Sequence, residues 1–399
     1  MQQRNPRGSL GSVVSGGFRV LVLRNSTFLV RLLNLRLPKR FGFPALAASV
    51  MLLSMAGAVL LTAYNPEQDN VNGPVADRWQ NKSVSWELNA TAASNVDTGG
   101  ANFAQSVKSV FTNSFATWTT TKVNGQLLNS LTMHQGPNTG LTDPDFQDCV
   151  NIVSFVPSSS VSFPTGTIAF TQIATVVPVA GGSPPFTYNC TSNGQSTQQQ
   201  CNVDACIADA DIVFNPAENF STTTTPVSGD FDAQSVATHE IGHMLGLDHS
   251  GLAGTVMDPF GDTGSSQQRN LALDDAIGMA FLYPGSAFAT ATGVISGTIT
   301  RNAVGIFGSH VIAVNAANGV ATVDGLTDTQ GNYSLTGLPP GDYNVLAVPL
   351  TGPSDITNFG GWYCGFSGNS EPCCDPSTDS SCSATQAVAN PTNYTGKFY

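Results

Sequence analysis

HEIGHMLGLDHS, residues 239–250, spaces three histidines as a metal site would. His239 and His243 are four apart, so on a helix they stand one above the other on the same face. Two imidazoles so placed can share one ion. Glu240 projects toward the same space, where a carboxylate can take a proton from an attacking water. Gly246, three residues past His243, suits the left-handed conformation that ends a helix and turns the chain. That turn brings His249 back as a third ligand. Three protein ligands leave one position open, which a catalytic zinc needs and a structural zinc does not. The pattern predicts one catalytic Zn2+ held by His239, His243 and His249, with Glu240 as general base. The chain has five histidines in all, and three lie here.

Outward from this motif, composition sets the context. A chain of 399 residues is too long for one core, so two domains with additional segments are expected. Charged residues make up 11%, and the formal charge is −12. Eight of the fifteen basic residues, Arg4 to Arg40, precede the first acid, Glu67. The remainder holds seven basic and twenty-seven acidic residues, about −20. Such a surface repels phosphates, which excludes nucleic acid as a partner. Residues 43–63 are apolar and uncharged after that basic stretch, as in a signal peptide or a single membrane span. Cleavage near Ala56, Gly57 and Ala58 or at Ala63 gives a secreted protein. Without cleavage, 43–63 anchors the chain with the rest facing outward.

All eight cysteines follow residue 148. Cys149, Cys190, Cys201 and Cys206 lie in the motif-bearing part, and Cys364, Cys373, Cys374 and Cys382 near the end. Even numbers in each part predict disulfides made outside the cytosol. Apolar spacing predicts an amphipathic helix over 102–121, the motif helix over 232–247 and a closing helix over 271–284. Strands are expected at 84–89, 150–156, 166–175 and 210–216, with 178–205 as an inserted loop.

From Trp86 to Tyr283 the chain resembles a matrixin-type metzincin, the catalytic module of matrix metalloproteinases. HEIGHMLGLDH fits the family's zinc motif at each fixed position. GTVMDP stands where the family has its Met-turn, which implies that Met257 lies under the metal. LALDDAIGMAFLYP resembles the closing helix, whose adjacent acids anchor the Met-turn backbone or the mature amino terminus. That role is implied for Asp274 and Asp275. ADADIVFN resembles the strand before the active-site helix.

The resemblance implies an extracellular zinc endopeptidase, a monomer acting on protein or peptide substrates. Its fold is α+β, a twisted, mostly parallel five-stranded sheet with an active-site helix, in which strands 150–156 and 210–216 are parallel neighbours. Cys149 and Cys206 stand just before those strands, giving expected bridges Cys149–Cys206 and Cys190–Cys201. Phe170 stands where the family has a ligand to a structural zinc, so none is expected. No cysteine precedes Cys149, so a propeptide cysteine latch is not expected. Calcium commonly binds the family's loops, but no acidic loop here matches closely enough to assign ligands. The leaving-group side of the cleft is expected from Asp258 to Asn270, with Arg269 a solvated surface residue.

Residues 293–352 change character to short alternating strands. Gly331, Tyr333, Leu338 to Gly341 and Tyr343 make this stretch similar to the carboxypeptidase regulatory-like module, an all-β transthyretin-like sandwich. A rigid spacer is the expected role, and His310 is expected to be an ordinary strand residue. The organisation read from the sequence is a leader (1–63), a linker (64–78), a zinc protease domain (79–285), a linker (286–292), the β-sandwich (293–352) and a cysteine-rich tail (353–399). The competing functional reading is an inactive metzincin-like adhesion or matrix-binding protein acting through its C-terminal β-domain.

Overall fold

The computed structural model describes residues 66–70, 74–179, 182–192, 194–328 and 330–350, with short pieces at 2–3, 20–22 and 397–398. The apolar run 43–63 and the four tail cysteines lie outside the described residues. Among the described residues no helix is long and apolar enough to cross a membrane.

In chain order the elements that build the site are β1 (Ser83–Leu88), α1 (Phe103–Thr120), β2 (Thr132–Gln135), β3 (Ile152–Ser154) and β4 (Ala169–Val176). There follow β5 (Phe186–Ser192), β6 (Gln195–Cys201), β7 (Cys206–Phe214), α2 (Ala233–Met244) and α3 (Leu273–Leu282). A five-stranded sheet runs β4-β7-β3-β1-β2. β7, β3, β1 and β2 are parallel, with Val153 opposite Ile212. β4 is the antiparallel edge.

α1 starts where the Asn102 side chain accepts the Gln105 N–H, capping the first turn. Its buried residues Val107, Val110, Phe111, Phe115 and Trp118 recur at helical spacing and pack on the sheet. Trp86 of β1 stacks on Phe115 at 4.6 Å, and Phe155 stacks on Phe214 at 4.0 Å. β7 is buried along its whole length, which is why its apolar run does not alternate.

Residues 186–201, expected as part of a loop, form the antiparallel hairpin β5-β6. Its polar Gln, Ser and Thr residues hide it from an apolar pattern search. The hairpin also redirects the disulfides. The bridges are Cys149–Cys190 and Cys201–Cys206, with Cα separations of 5.5 and 6.1 Å, not the expected Cys149–Cys206 and Cys190–Cys201. In the hairpin register Cys190 faces Thr197 while Cys201 faces Phe186. Four residues of strand separate the two cysteines, about 13 Å, beyond the roughly 7 Å a bridge spans. Cys206 is flanked by Val176 and Arg78, which fill the places beside it.

β7 also carries two buried acids. Asp211 accepts the N–H groups of Ile152 and Asp145, whereas neither oxygen of Asp209 has a partner among the described residues. Burial, then the charges of Asp211 and Asp148, push Asp209 up to about 9 from 3.8. The folded chain therefore holds a proton there that the unfolded chain releases. That stabilisation is complete below the unfolded value and is lost as pH rises toward about 9. Asp209→Asn should flatten this decline and raise stability at alkaline pH by about 1–3 kcal/mol, read from urea midpoints across the range. An unchanged pH slope would count against a buried neutral acid.

The C-terminal strands are β8 (Gly293–Thr298), β9 (His310–Asn315), β10 (Ala321–Leu326), β11 (Asn332–Leu338) and β12 (Gly341–Val348). β8 pairs with β11, and β9 lies between β12 and β10. Asp324 and Gly325 break the apolar pattern of β10, so alternation alone does not predict a strand there. These strands pack on α3, and the apolar core runs without a break from Ile277 and Met279 to Ile295, Leu335 and Leu338. Gly337 makes the approach close: a Cβ there would sit 2.4 Å from the Ile277 side chain.

Candidate active site

α2 begins at Asp232, whose side chain accepts both the N–H and the hydroxyl of Ser235. Arg269 grips the same carboxylate through Nε at 2.8 Å and Nη2 at 2.5 Å and also donates to the Thr223 and Thr224 carbonyls. Arg269 is thus no solvated surface residue. It ties the segment after Met257 to the start of α2.

One helical turn places the Nε2 atoms of His239 and His243 3.1 Å apart. Each Nδ1 is committed elsewhere, His239 to the Val256 carbonyl at 2.7 Å and His243 to the Leu247 carbonyl at 2.8 Å. A carbonyl only accepts, so both Nδ1 atoms carry the proton and both Nε2 atoms present lone pairs. Gly246 takes φ +92°, and the chain turns back toward the helix. A Cβ there would lie 2.4 Å from the Asp77 carbonyl oxygen, so the position excludes larger residues. The helix end is held by Trp79 Nε1 on the Met244 carbonyl and the Tyr283 hydroxyl on the Leu245 carbonyl. After the turn the His249 ring lies 4.8 Å from the His243 ring and 5.3 Å from the His239 ring.

The three ligand atoms lie within 4.8 Å of one another. A tetrahedral zinc with bonds of 2.0–2.1 Å needs nitrogens about 3.3 Å apart, a spacing that the His239–His243 pair at 3.1 Å fits. The donor chemistry fits as well. Two lone pairs facing each other at 3.1 Å call for a shared proton or a cation. Burial, reinforced by the neighbouring imidazoles, pushes His239 well below its usual value, and burial lowers His243, so protonation is disfavoured. Glu240 is fully buried beside them. The Thr171 hydroxyl donates to its Oε2 at 2.8 Å and to its backbone carbonyl at 2.9 Å.

Comparison with known proteins agrees with this geometry. The matrixin family model matches residues 196–284. The chain is 46% identical over 61 residues to metalloendoproteinase 1 of Glycine max, covering 15% of this chain and 20% of that protein. It is 44% identical over 61 residues to metalloendoproteinase 5-MMP of Arabidopsis thaliana, covering 15% and 17%. It is 31% identical over 122 residues to karilysin of Tannerella forsythia, covering 28% and 24%. The chain thus spans about a quarter or less of the length of these relatives. It carries a matrixin-type catalytic domain.

In this matrixin domain Met257 is buried against α2. A Cβ on Gly242 would lie 2.2 Å from its Sδ and 2.9 Å from Trp118, so the glycine lets the thioether press on the helix between the two histidines. Asp275 accepts the N–H groups of Val256, Met257 and Ala272, which fixes the Met-turn. Burial raises Asp275 to about 6 despite those three bonds. A relay results: Asp275 holds Val256, and the Val256 carbonyl holds His239.

Asp274 serves a different partner. It accepts the Ser250 hydroxyl at 2.9 Å and the backbone N–H of Asp324, a residue of β10, at 3.1 Å. Burial, then the Asp324 charge, push Asp274 well above the usual carboxylate range. Pro66, Glu67 and Asp77, within the stretch expected as a linker, lie against the turn after α2, where the Glu67 N–H donates to the Gly246 carbonyl and Pro66 bridges to Leu247.

Thr171, Trp79, Tyr283 and Asp324 were not singled out by the sequence. Each touches the motif across 38 residues or more of chain, and no spacing rule connects them to it.

Proposed function

We propose that the chain is an extracellular zinc-dependent endopeptidase. The observation that carries this reading is the convergence of three imidazole nitrogens beside a buried glutamate. His239, His243 and His249 would hold the ion. Bound zinc supplies Lewis acidity, polarising a substrate carbonyl and acidifying a water. Glu240 accepts a proton from the attacking water and passes it to the leaving amine. Thr171, bonded to Oε2, fixes the rotation of that carboxylate. An extended peptide would align along the edge strand β4, adding its backbone to the sheet. No covalent enzyme intermediate is needed.

The reading extends to the whole chain. Residues 79–285 form the protease domain, and the antiparallel pairings β8-β11 and β10-β9-β12 within 293–350 support a transthyretin-like sandwich. The disulfides and the basic-then-apolar leader support export, followed by cleavage or by retention through residues 43–63. Purified chain should contain one zinc per molecule and cleave a quenched generic peptide. A chelator should abolish that cleavage, and added zinc should restore it. Stoichiometric zinc without cleavage would instead favour an adhesion protein with a disused site.

A further inference from the structure

The turn that carries His249 is held from two sides. One side is α3 of the matrixin domain, through Asp274. The other is β10 of the C-terminal strands, through Asp324. Asp324 is fully buried. Its Oδ2 accepts the Gly251 N–H at 3.1 Å, and its Oδ1 accepts the Ser250 hydroxyl at 3.2 Å. Its own N–H donates to Asp274. His310 Nε2, on the neighbouring strand β9, lies 2.5 Å from Oδ2 and braces the carboxylate from behind. Ser250 also donates its backbone N–H to the Met257 carbonyl, so the network reaches the Met-turn.

Gly251 shows how closely the two parts meet. A Cβ there would lie 2.7 Å from His310 Nε2 and 2.9 Å from Asp324 Oδ2. Buried carboxylates are costly to place, and Asp324 spends its oxygens on the two residues that follow His249. A spacer domain would not need such contacts.

We propose that Asp324 is a positioning residue for His249, so that the C-terminal strands complete the metal site instead of merely extending the chain. This rests on the reading of the three-histidine cluster as a zinc site. Asp324 touches no ligand directly; it fixes the backbone from which His249 reaches inward. Loss of a partner bonded to a ligand itself typically weakens metal affinity by 10–100-fold, and Asp324 acts one bond further out, so the low end of that range is expected.

The test uses the full chain. Zinc affinity is measured by chelator competition in wild type, Asp324→Asn and Val345→Ala, and the visible spectrum of the Co2+-substituted forms is recorded. Asp324→Asn keeps the side-chain volume but aims an amide at donors. Val345→Ala removes core packing in β12, away from the His249 turn. The zinc dissociation constant of Asp324→Asn should rise about 10-fold and its Co2+ bands should change, while Val345→Ala loses stability and leaves both intact. Ser250→Ala, which removes only the hydroxyl shared by Asp274 and Asp324, substitutes for an Asp324→Asn that fails to fold and should shift affinity the same way. Wild-type affinity and spectrum in the folded variant would overturn the assignment of Asp324 alone. A wild type that takes up no zinc would overturn the metal-site reading and this inference with it.

Discussion

Glu240→Gln should retain its zinc and lose peptide cleavage by about 10^2–10^4-fold. Glutamine keeps the shape of the side chain and an oxygen to accept the Thr171 hydroxyl, so the packing at this fully buried position is preserved. The three imidazoles are untouched, and Glu240 is not among the ligands. What disappears is the carboxylate that takes the water's proton. The loss should therefore fall on kcat, with metal content and thermal stability close to wild type. Parallel loss of zinc and activity would make Glu240 a structural residue, and wild-type cleavage would remove it from the chemistry.

Trp118→Ala should destabilise the chain by about 3–5 kcal/mol. Trp118 is fully buried and lies on the face of α1 that packs against α2. Its indole N–H donates to the Thr238 carbonyl at 2.8 Å, one residue before His239, and its ring lies against Gly242. Alanine removes both the bond and the ring, and the cavity would open directly beneath the histidine face. Trp118→Phe keeps most of the packing and loses the bond, so about 1–2 kcal/mol is expected. Urea unfolding of the two variants separates the terms. A loss below about 1 kcal/mol in Trp118→Ala would mean that the α1–α2 contact is not a support of the site.

How much of this was legible in the sequence follows from the range of each interaction. His239 and His243 meet because helix geometry alone sets residues four apart on one face, and no distant contact is required. The buried face of α1 was readable for the same reason. The turn at Gly246 follows from a glycine placed where a helix must end. The disulfides were not readable, because their pairing depends on a polar hairpin with no apolar signature, which carries Cys190 away from Cys201 and sets it beside Cys149. Arg269 was read as solvated because Asp232 lies 37 residues earlier, and only the fold brings the two together. Asp324 was hidden for a further reason: an aspartate followed by glycine reads as a turn, yet here it is the buried middle of a strand. Elements governed by local periodicity were visible, and groups that act by closing long loops were not.

Zinc K-edge X-ray absorption of the purified chain tests most directly whether three imidazoles grip one ion at an open site. Three imidazole nitrogens at about 2.0–2.1 Å with one oxygen ligand are expected. Fewer than three imidazoles, or a sulfur at about 2.3 Å in their place, would contradict it.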